Sequence, residues 1–399
     1  MVTRPTPTPT RTTRTPTSPS ALARALDPVE VERFLAEHWE RQPLVVPRAE
    51  AGRFDDLLSV RDLERLLTET SIRSPGFRLV KAGETVEGYT SDLSWRPEPF
   101  TGVADVPRVL AEFEGGATIV LQGLHHSWLP LARYCRKLEA FLGHPAQANA
   151  YFTPRGSQGL PVHHDTHEVL SLQVAGEKRW LVYEPVLELP LKSQRYRSAL
   201  GAPGEPVLDV TLRAGGTLYL PRGWLHQALT SETDSLHITV GVNVRTWLDE
   251  ARAVLETCAD DVAFRRAADG DEPSWPELEP EAAALRARRR LVHTRRPILD
   301  GQLSELRALD SLGLETDLVR RDTVIADLDG TTLAFEGREL RFPERLSAEL
   351  EFLVATTEAF RPADLPGSLD EAGRLVLVRR LVREGFLRRK ARPHSASAV

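Results

Sequence analysis

Cysteine is nearly absent. The 399 residues hold two, Cys135 and Cys258, each in a helix-like run, RYCRKL and ETCADD. Two isolated thiols build neither a cysteine-rich metal centre nor a disulfide framework, and they fit a reducing, cytoplasmic setting. Long apolar runs are missing as well. No stretch of about eighteen apolar residues occurs, so no segment is expected to span a membrane. No apolar run follows the N-terminus, as a secretion signal would require. Positive charge is not in excess: the formal net charge is −6, which speaks weakly against general nucleic-acid affinity. Acidic residues are absent from the first twenty positions, MVTRPTPTPTRTTRTPTSPS. Transit peptides share that lack, but recurring prolines forbid the amphipathic helix they form. Such a low-complexity segment buries too little apolar surface to offset its ordering entropy, so residues 1–20 are expected to be a disordered arm.

The length allows two or three domains of ~100–200 residues each. Folding is expected to begin at Asp27-Pro28-Val29-Glu30, with Asp at the helix N-cap, Pro at the first position and Glu at the third. Val31, Phe34, Leu35 and Trp39 then recur at helical spacing. Residues 42–46 read as a strand and 60–67 as a helix. Residues 77–102 read as an irregular loop over a site, carrying Tyr89, Trp95 and Phe100. Residues 117–121 form an apolar strand, and Leu131 to Leu142 a helical face ending at Gly143. His125 and His126, between these two, read as structural or solvent-facing. Residues 169–174 and 179–183 read as paired strands, and 207–212, 217–220, 225–229 and 236–242 continue a β-barrel. The connector 186–206 is polar and a candidate substrate contact.

The chemistry gathers in residues 149–185, NAYFTPRGSQGLPVHHDTHEVLSLQVAGEKRWLVYEP. In extended chain, residues i and i+2 share a face, so His163 and Asp165 point one way and His164 the other. A third candidate, His226, stands far downstream in LYLPRGWLHQALT, which reads as two short strands joined by a Pro-Arg-Gly turn. Two histidines and one carboxylate on one face of a metal leave positions open for cosubstrate and O2, the donor set of non-haem iron(II) oxygenases. Taken alone, HHDTH reads sooner as a chance triplet in a solvated turn, and Asp165-x-His167 is a competing frame. Lys178 alone reads as a hairpin-turn residue, and Tyr151 and Asn149 alone as core packing.

These residues stand in specific company. Tyr151, Thr153-Pro154, Ser157-Gln158-Gly159, His163-x-Asp165, Leu172-Gln173, Gly176-Glu177-Lys178-x-Trp180 and Pro221-Arg222-Gly223-x-x-His226-Gln227-Ala228 occur in order. In this the sequence resembles the JmjC-type ribosomal oxygenases, Fe(II)- and 2-oxoglutarate-dependent hydroxylases of ribosomal-protein side chains. The resemblance implies a mainly β catalytic domain, a cupin/JmjC jelly roll or double-stranded β-helix. It implies His163, Asp165 and His226 as iron ligands and Lys178 as partner of the distal carboxylate of 2-oxoglutarate. Tyr151, Asn149 and Thr239 would be hydrogen-bonding neighbours, with O2 as cosubstrate. His237, on the face of Thr239 in the last barrel strand, is expected beside the metal set rather than in it, because oxygen chemistry needs open positions.

Beyond the barrel, Val254, Leu255, Cys258, Val262 and Phe264 suggest one helix and residues 282–292 another. Similar oxygenases dimerise through helices here, so a homodimer is expected. The basic run ARARRRLVHTRR reads as a solvated helix face. Residues 300–392 combine helical stripes (Leu346, Leu350, Leu353, Val354; Leu375, Val378, Leu381, Val382) with a hairpin, TTLAFEGRELRFP. This pattern resembles a winged helix, which the family also carries at its C-terminus. No helix here gathers basic residues on one face beyond Arg374, Arg379, Arg380 and Arg383. Substrate docking or a structural role is therefore expected, and nucleic-acid binding is not.

The expected organisation is an arm (1–20), the oxygenase domain (21–246), a helical dimerisation segment (247–299), a winged-helix-like α+β domain (300–392) and a disordered tail (393–399). The expected activity is hydroxylation of an arginine or histidine of a ribosomal protein. The same chemistry on a peptide natural product or small metabolite stays open, as does a non-oxygenase metal cupin or winged-helix regulator. His164 and His167 depart from the neighbours expected beside such a metal set.

Overall fold

The computed structural model describes residues 12–14, 18–94, 98–158, 160–230, 232–259, 261–267, 281 and 294–390. Two compact units divide the chain: residues 18–244, and residues 245–399 together with 1–17. The first described residues, Thr12–Arg14 (β1), fold with the second unit.

The first unit opens on two short helices, α1 (Ser20–Leu26) and α2 (Val31–Glu37). The expected helix start at Asp27 is corrected: Asp27 closes α1, and α2 follows Glu30. Ala21, Leu22, Ala25 and Leu26 make a buried stripe at helical spacing, so the upstream run is itself a helix. Val31 and Phe34 bury as their spacing implies. After the strand β2 (Leu44–Val46), helix α3 (Val60–Thr68) begins in a capping box. Ser59 Oγ accepts from the Asp62 N–H at 3.1 Å, and the Asp62 carboxylate accepts from the Ser59 N–H at 3.0 Å.

Residues 77–102, expected to be irregular, are largely strands: β3 (Phe77–Lys81), β4 (Glu84–Thr85), β5 (Thr90–Leu93) and β6 (Phe100–Ala104). The cause is a period of two, with Phe77 and Leu79 fully buried in the core. Tyr89 packs edge-on against Phe77 at 5.3 Å, and Phe100 lies under the Arg73 guanidinium. Trp95 lies outside the described residues. Helix α4 (Val106–Glu114), strand β7 (Thr118–Leu121), and helices α5 (Leu124–Ser127) and α6 (Leu129–Leu142) follow, α6 ending at Gly143.

The remaining strands are β8 (Ala146–Thr153), β9 (Glu168–Ala175), β10 (Glu177–Tyr183), β11 (Leu208–Arg213), β12 (Thr217–Leu220), β13 (Leu225–Thr230) and β14 (Ser235–Val242). They form a two-sheet β-sandwich. One sheet has eight strands in the order β2-β12-β9-β14-β8-β7-β3-β4, the other three, β11-β10-β13. The expected pairing of β9 with β10 is corrected: β9 pairs with β12 and β14, β10 with β11 and β13. Gly176 makes the crossing between sheets. Its φ is +65°, and a Cβ there would stand 1.8 Å from the Asp234 carbonyl oxygen, so no hairpin-turn residue with a side chain fits.

Alternation splits each strand of the large sheet between two environments. On β14, Leu236, Ile238 and Val240 are fully buried in the main core, each contributing roughly 1.5–3 kcal/mol. His237 and Thr239 face the opposite side, into a cavity. On β8, Ala148 and Ala150 take the core face, and Asn149, Tyr151 and Thr153 take the cavity. The cavity floor is thus the second face of a sheet whose first face is sealed by hydrocarbon.

In the second unit, α7 (Trp247–Cys258) is a helix, but it ends at Cys258; Val262–Arg265 form a separate 3-10 turn capped by Asp261. The helix expected at 282–292 and the tail from 393 lie outside the described residues. Strands β15 (Leu318–Arg320), β16 (Ala326–Asp329), β17 (Thr332–Phe335), β18 (Arg338–Arg341) and β19 (Leu387–Arg389) follow. The hairpin of residues 331–343 appears as β17 paired with β18. β1 adds an antiparallel strand beside β16, so Thr12–Arg14 depart from the expected disordered arm. A proline-free triplet with two β-branched threonines can pair with an open sheet edge. Helices Ser347–Ala355 and Glu371–Arg383 bury Leu350, Leu353, Val354, Val378, Leu381 and Val382 in this unit's own core. Among the described residues, no helix is long and apolar enough to cross a membrane.

Candidate active site

A two-rung backbone bridge assembles the polar cluster. The His163 N–H donates to the His226 carbonyl at 3.1 Å, and the His226 N–H returns a bond to the His163 carbonyl at 2.8 Å. The two imidazoles lie side by side, with centroids 4.5 Å apart. Asp165, two residues on, joins them, its carbonyl held by the Gly223 N–H at 3.0 Å. One ligand atom from each of His163, Asp165 and His226 lies within 4.8 Å of the others. The Asp165 oxygen nearest His226 is Oδ2, 3.6 Å from Nε2.

The outer ring nitrogens fix the tautomers. His163 Nδ1 stands 2.8 Å from the Pro161 carbonyl oxygen, and His226 Nδ1 stands 3.0 Å from that of Trp224. A carbonyl only accepts, so each Nδ1 carries its proton and each Nε2 presents a lone pair to the shared centre. Two imidazole nitrogens and one carboxylate oxygen, with open space beside them, fit a divalent first-row metal. Burial, then the neighbouring His163, pushes the His226 imidazole down to about 4. Burial works to raise the Asp165 carboxyl, but the imidazoles of His167, His226, His163 and His164 outweigh it and hold it below the usual range. His164 turns away, its Nε2 3.0 Å from the Gln194 carbonyl and its ring edge-on to Tyr196. His125 serves structure: its Nδ1 accepts from the Ala148 N–H at 3.2 Å.

The turn that carries His226 is tied down by a buried network. Arg222 Nη1 donates to Glu168 Oε1 at 2.8 Å and to Glu40, and the Tyr219 hydroxyl donates to Glu168 Oε2 at 2.5 Å. Gly223 adopts φ +93°, where a Cβ would stand 2.5 Å from the Leu187 carbonyl oxygen. The Pro-Arg-Gly turn therefore places the histidine three residues later.

A cavity of about 270 Å³ extends from this cluster between the two sheets. At its other end stands Lys178, 3% exposed. Its Nζ donates to Thr153 Oγ1 at 3.0 Å and lies 3.5 Å from His237 Nδ1. Among the described residues no carboxylate pairs with it, and burial pushes its ammonium down to about 7. Thr153 Oγ1 also accepts from Thr118 Oγ1 at 3.1 Å. Tyr151 stacks on His237 with centroids 4.9 Å apart, and burial, then the Asp165 charge, pushes its phenol up to about 12. Burial, then Lys178, holds His237 well below its ordinary value, so it is neutral. Asn149 Oδ1 accepts from the Gly123 N–H at 2.9 Å, and Thr239 lines the wall. A buried cation without an anion is costly; a ligand carboxylate would complete it.

All eight residues singled out in the sequence line this one cavity. Sequence reasoning missed Arg78, Val80, Thr118 and Gly241 on its walls. The alternation in Phe77-Arg78-Leu79-Val80 was the available signal. Arg78 is steadied by Gln122, whose Oε1 accepts from Nε at 2.9 Å.

Comparison with known proteins follows the same outline. Residues 124–249 match the model of the JmjC domain. The chain is 34% identical over 220 residues to the "Bifunctional lysine-specific demethylase and histidyl-hydroxylase NO66" of Drosophila persimilis, covering 55% of this chain and 31% of that protein. It is 32% identical over 261 residues to "Ribosomal oxygenase 2" of Rattus norvegicus, covering 62% of this chain and 54% of that one. The chain thus spans about a third to a half of the length of these relatives. A solved structure of YcfD, a ribosomal oxygenase from Escherichia coli, in complex with cobalt and 2-oxoglutarate superposes with a TM-score of 0.53 at 21% identity. That match covers 91% of this chain and 99% of YcfD, and shows a shared fold.

Proposed function

For this chain, a JmjC-domain protein related to the ribosomal oxygenases, we propose an Fe(II)- and 2-oxoglutarate-dependent dioxygenase that hydroxylates a protein side chain. One observation carries the reading: a two-histidine, one-carboxylate cluster and a buried, anion-free lysine occupy opposite ends of one cavity. His163, Asp165 and His226 would hold iron, and Lys178 with Thr153 would hold the far carboxylate of 2-oxoglutarate. Iron, 2-oxoglutarate and O2 supply oxidation of a C–H bond to C–OH, coupled to conversion of the cosubstrate to succinate and CO2. The chain's own groups bind, orient and exclude water. Tyr151, Asn149 and Thr239 give the cosubstrate hydrogen-bonding walls, and neutral His237 backs the lysine without adding charge.

Charge favours one class of target side chain. The cavity walls carry two cations, Arg78 and Lys178, and one carboxylate, Asp165, which the metal would engage. With Lys178 matched by the cosubstrate, Arg78 remains as a positive charge that, among the described residues, no carboxylate pairs. A guanidinium would meet like charge there, whereas a neutral imidazole would not. A histidine of a ribosomal protein is therefore the favoured substrate over an arginine. The second unit supports docking and assembly: we read it as winged-helix-like, and α7 presents Trp247 (90% exposed) and Leu255 as a face for a second copy. Two free cysteines fit work in the cytoplasm.

The test is intact-mass spectrometry of ribosomal proteins from cells with and without the gene. One protein lighter by a single oxygen atom in the deletion strain, mapped by fragmentation to a histidine, is the expected result. Identical masses would move the substrate off the ribosome.

A further inference from the structure

His167 stands on the cavity wall two residues beyond Asp165, and neither the metal set nor the cosubstrate walls use it. Its Nε2 lies 3.9 Å from Asp165 Oδ1, the carboxylate oxygen opposite the one that faces His226. Its other nitrogen, Nδ1, is buried and unpartnered. Three imidazoles thus surround one carboxylate, and their hydrogen bonds sort them. His163 and His226 give their Nδ1 protons to carbonyls and keep Nε2 as a lone pair. For His167, Asp165 Oδ1 faces Nε2, and among the described residues a proton on the buried Nδ1 would have no acceptor. The tautomer with its proton on Nε2 is therefore the better satisfied one; it turns that N–H toward Asp165, within a few tenths of an ångström of hydrogen-bond reach, and leaves no lone pair there for a metal.

The neighbouring strand β14 of the same sheet makes room for this ring. Gly241 packs against it so closely that a Cβ would stand 2.9 Å from His167 Cε1 and 3.0 Å from Nδ1. The backbone of β14 is thus shaped to the imidazole, and the missing side chain at 241 is a counterpart of the histidine at 167.

We propose that His167 is a positioning residue that donates its Nε2 proton to Asp165 Oδ1. The carboxylate then offers Oδ2 alone to the centre shared with His163 and His226. Holding one oxygen back keeps Asp165 from closing on a metal through both, and so keeps a position free for cosubstrate. This inference rests on the metal-site reading above, and it concerns the ligand's orientation rather than its identity.

The experiment titrates the full chain with Co(II) under anaerobic conditions, following affinity and the visible d–d absorption. Three forms are compared: wild type, His167→Val and His167→Gln, whose amide nitrogen can reach the place of Nε2. His167→Val is expected to bind Co(II) ~10–100-fold more weakly, the loss typical of an outer-shell partner, with an altered absorption band. His167→Gln is expected to recover most of the affinity and the wild-type band. Gly241→Ala, which displaces the ring, should shift the band in the same direction as His167→Val. Thermal unfolding of the metal-free forms identifies any variant that fails to fold. Wild-type affinity and spectrum in His167→Val would overturn the proposal, as would a His167→Gln form no better than His167→Val. A wild-type chain that binds no Co(II) would instead overturn the metal-site reading.

Discussion

The two ends of the cavity solve opposite electrostatic problems. At the histidine end, the protein anchors the ligating side chains through their outer atoms and leaves the inner ones open. Asp165 sits among imidazoles, and both histidine Nδ1 protons are spent on carbonyls at 2.8 and 3.0 Å. At the lysine end, an enclosed ammonium has, among the described residues, Thr153 and a neutral imidazole as its polar partners. Rings anchored in this way are held in place before a metal arrives. An unsatisfied cation is a binding site waiting for charge, and it costs stability until the charge arrives.

That contrast can be broken from either side. The largest effect is expected from Asp165→Ala, which removes the sole carboxylate of the cluster. Metal affinity should fall well beyond the ~100-fold that loss of an outer-shell partner costs. Metal analysis of the purified variant checks this, with the fold intact by circular dichroism.

Lys178→Met should act differently at each level. Affinity of the metal-loaded protein for 2-oxoglutarate should weaken about 10–150-fold, corresponding to the ~1.5–3 kcal/mol of a hydrogen bond to a charged group. Metal affinity should stay unchanged, and the cosubstrate-free protein should become more stable, since a desolvated cation is replaced by a thioether.

The pH dependence follows from the same lysine. Its ammonium titrates at about 7 in the folded chain, against 10.5 for an ordinary lysine. Between these values the unfolded chain holds a proton that the folded chain lacks, so wild-type stability rises with pH there. The lysine's share of the slope should be lost in Lys178→Met, as denaturant titrations of both forms at pH 7 and 9 would show. For 2-oxoglutarate the sign reverses. The dicarboxylate needs the charged form, so Kd should be flat below pH 7 and rise by up to about tenfold per pH unit above it.

Tyr151→Phe should have the smallest effect, because the stack on His237 survives and one hydroxyl is lost. Weakening of 2-oxoglutarate binding by about 2–12-fold is expected, equivalent to ~0.5–1.5 kcal/mol. Isothermal titration resolves a change of that size.

The histidine end was the more legible in sequence, for a physical reason. His163 and Asp165 are set by a local period of two, and His226 by a Pro-Arg-Gly turn with its own residue signature. The lysine end depends on long-range pairing. Lys178 reads as a hairpin turn until β9 and β10 are seen to lie in different sheets, with Gly176 crossing between them. Arg78 and Val80 were missed because their strand is short and mixed in polarity, and only its position beside β7 turns it toward the cavity. Helix α1 was missed because Asp27-Pro28 imitates a helix start where it follows a helix end. The β1 pairing at Thr12–Arg14 is non-local in the extreme, joining residues some three hundred positions apart. His167 showed in sequence only as a competing frame with Asp165; its place needed Gly241 and the second oxygen of Asp165.

The most direct test of the two-ended cavity is calorimetric titration of 2-oxoglutarate into the full chain, with and without Co(II), beside Lys178→Met. Tight binding that requires both the metal and the lysine is the expected result. Equal binding without metal, or undiminished binding in Lys178→Met, would contradict it.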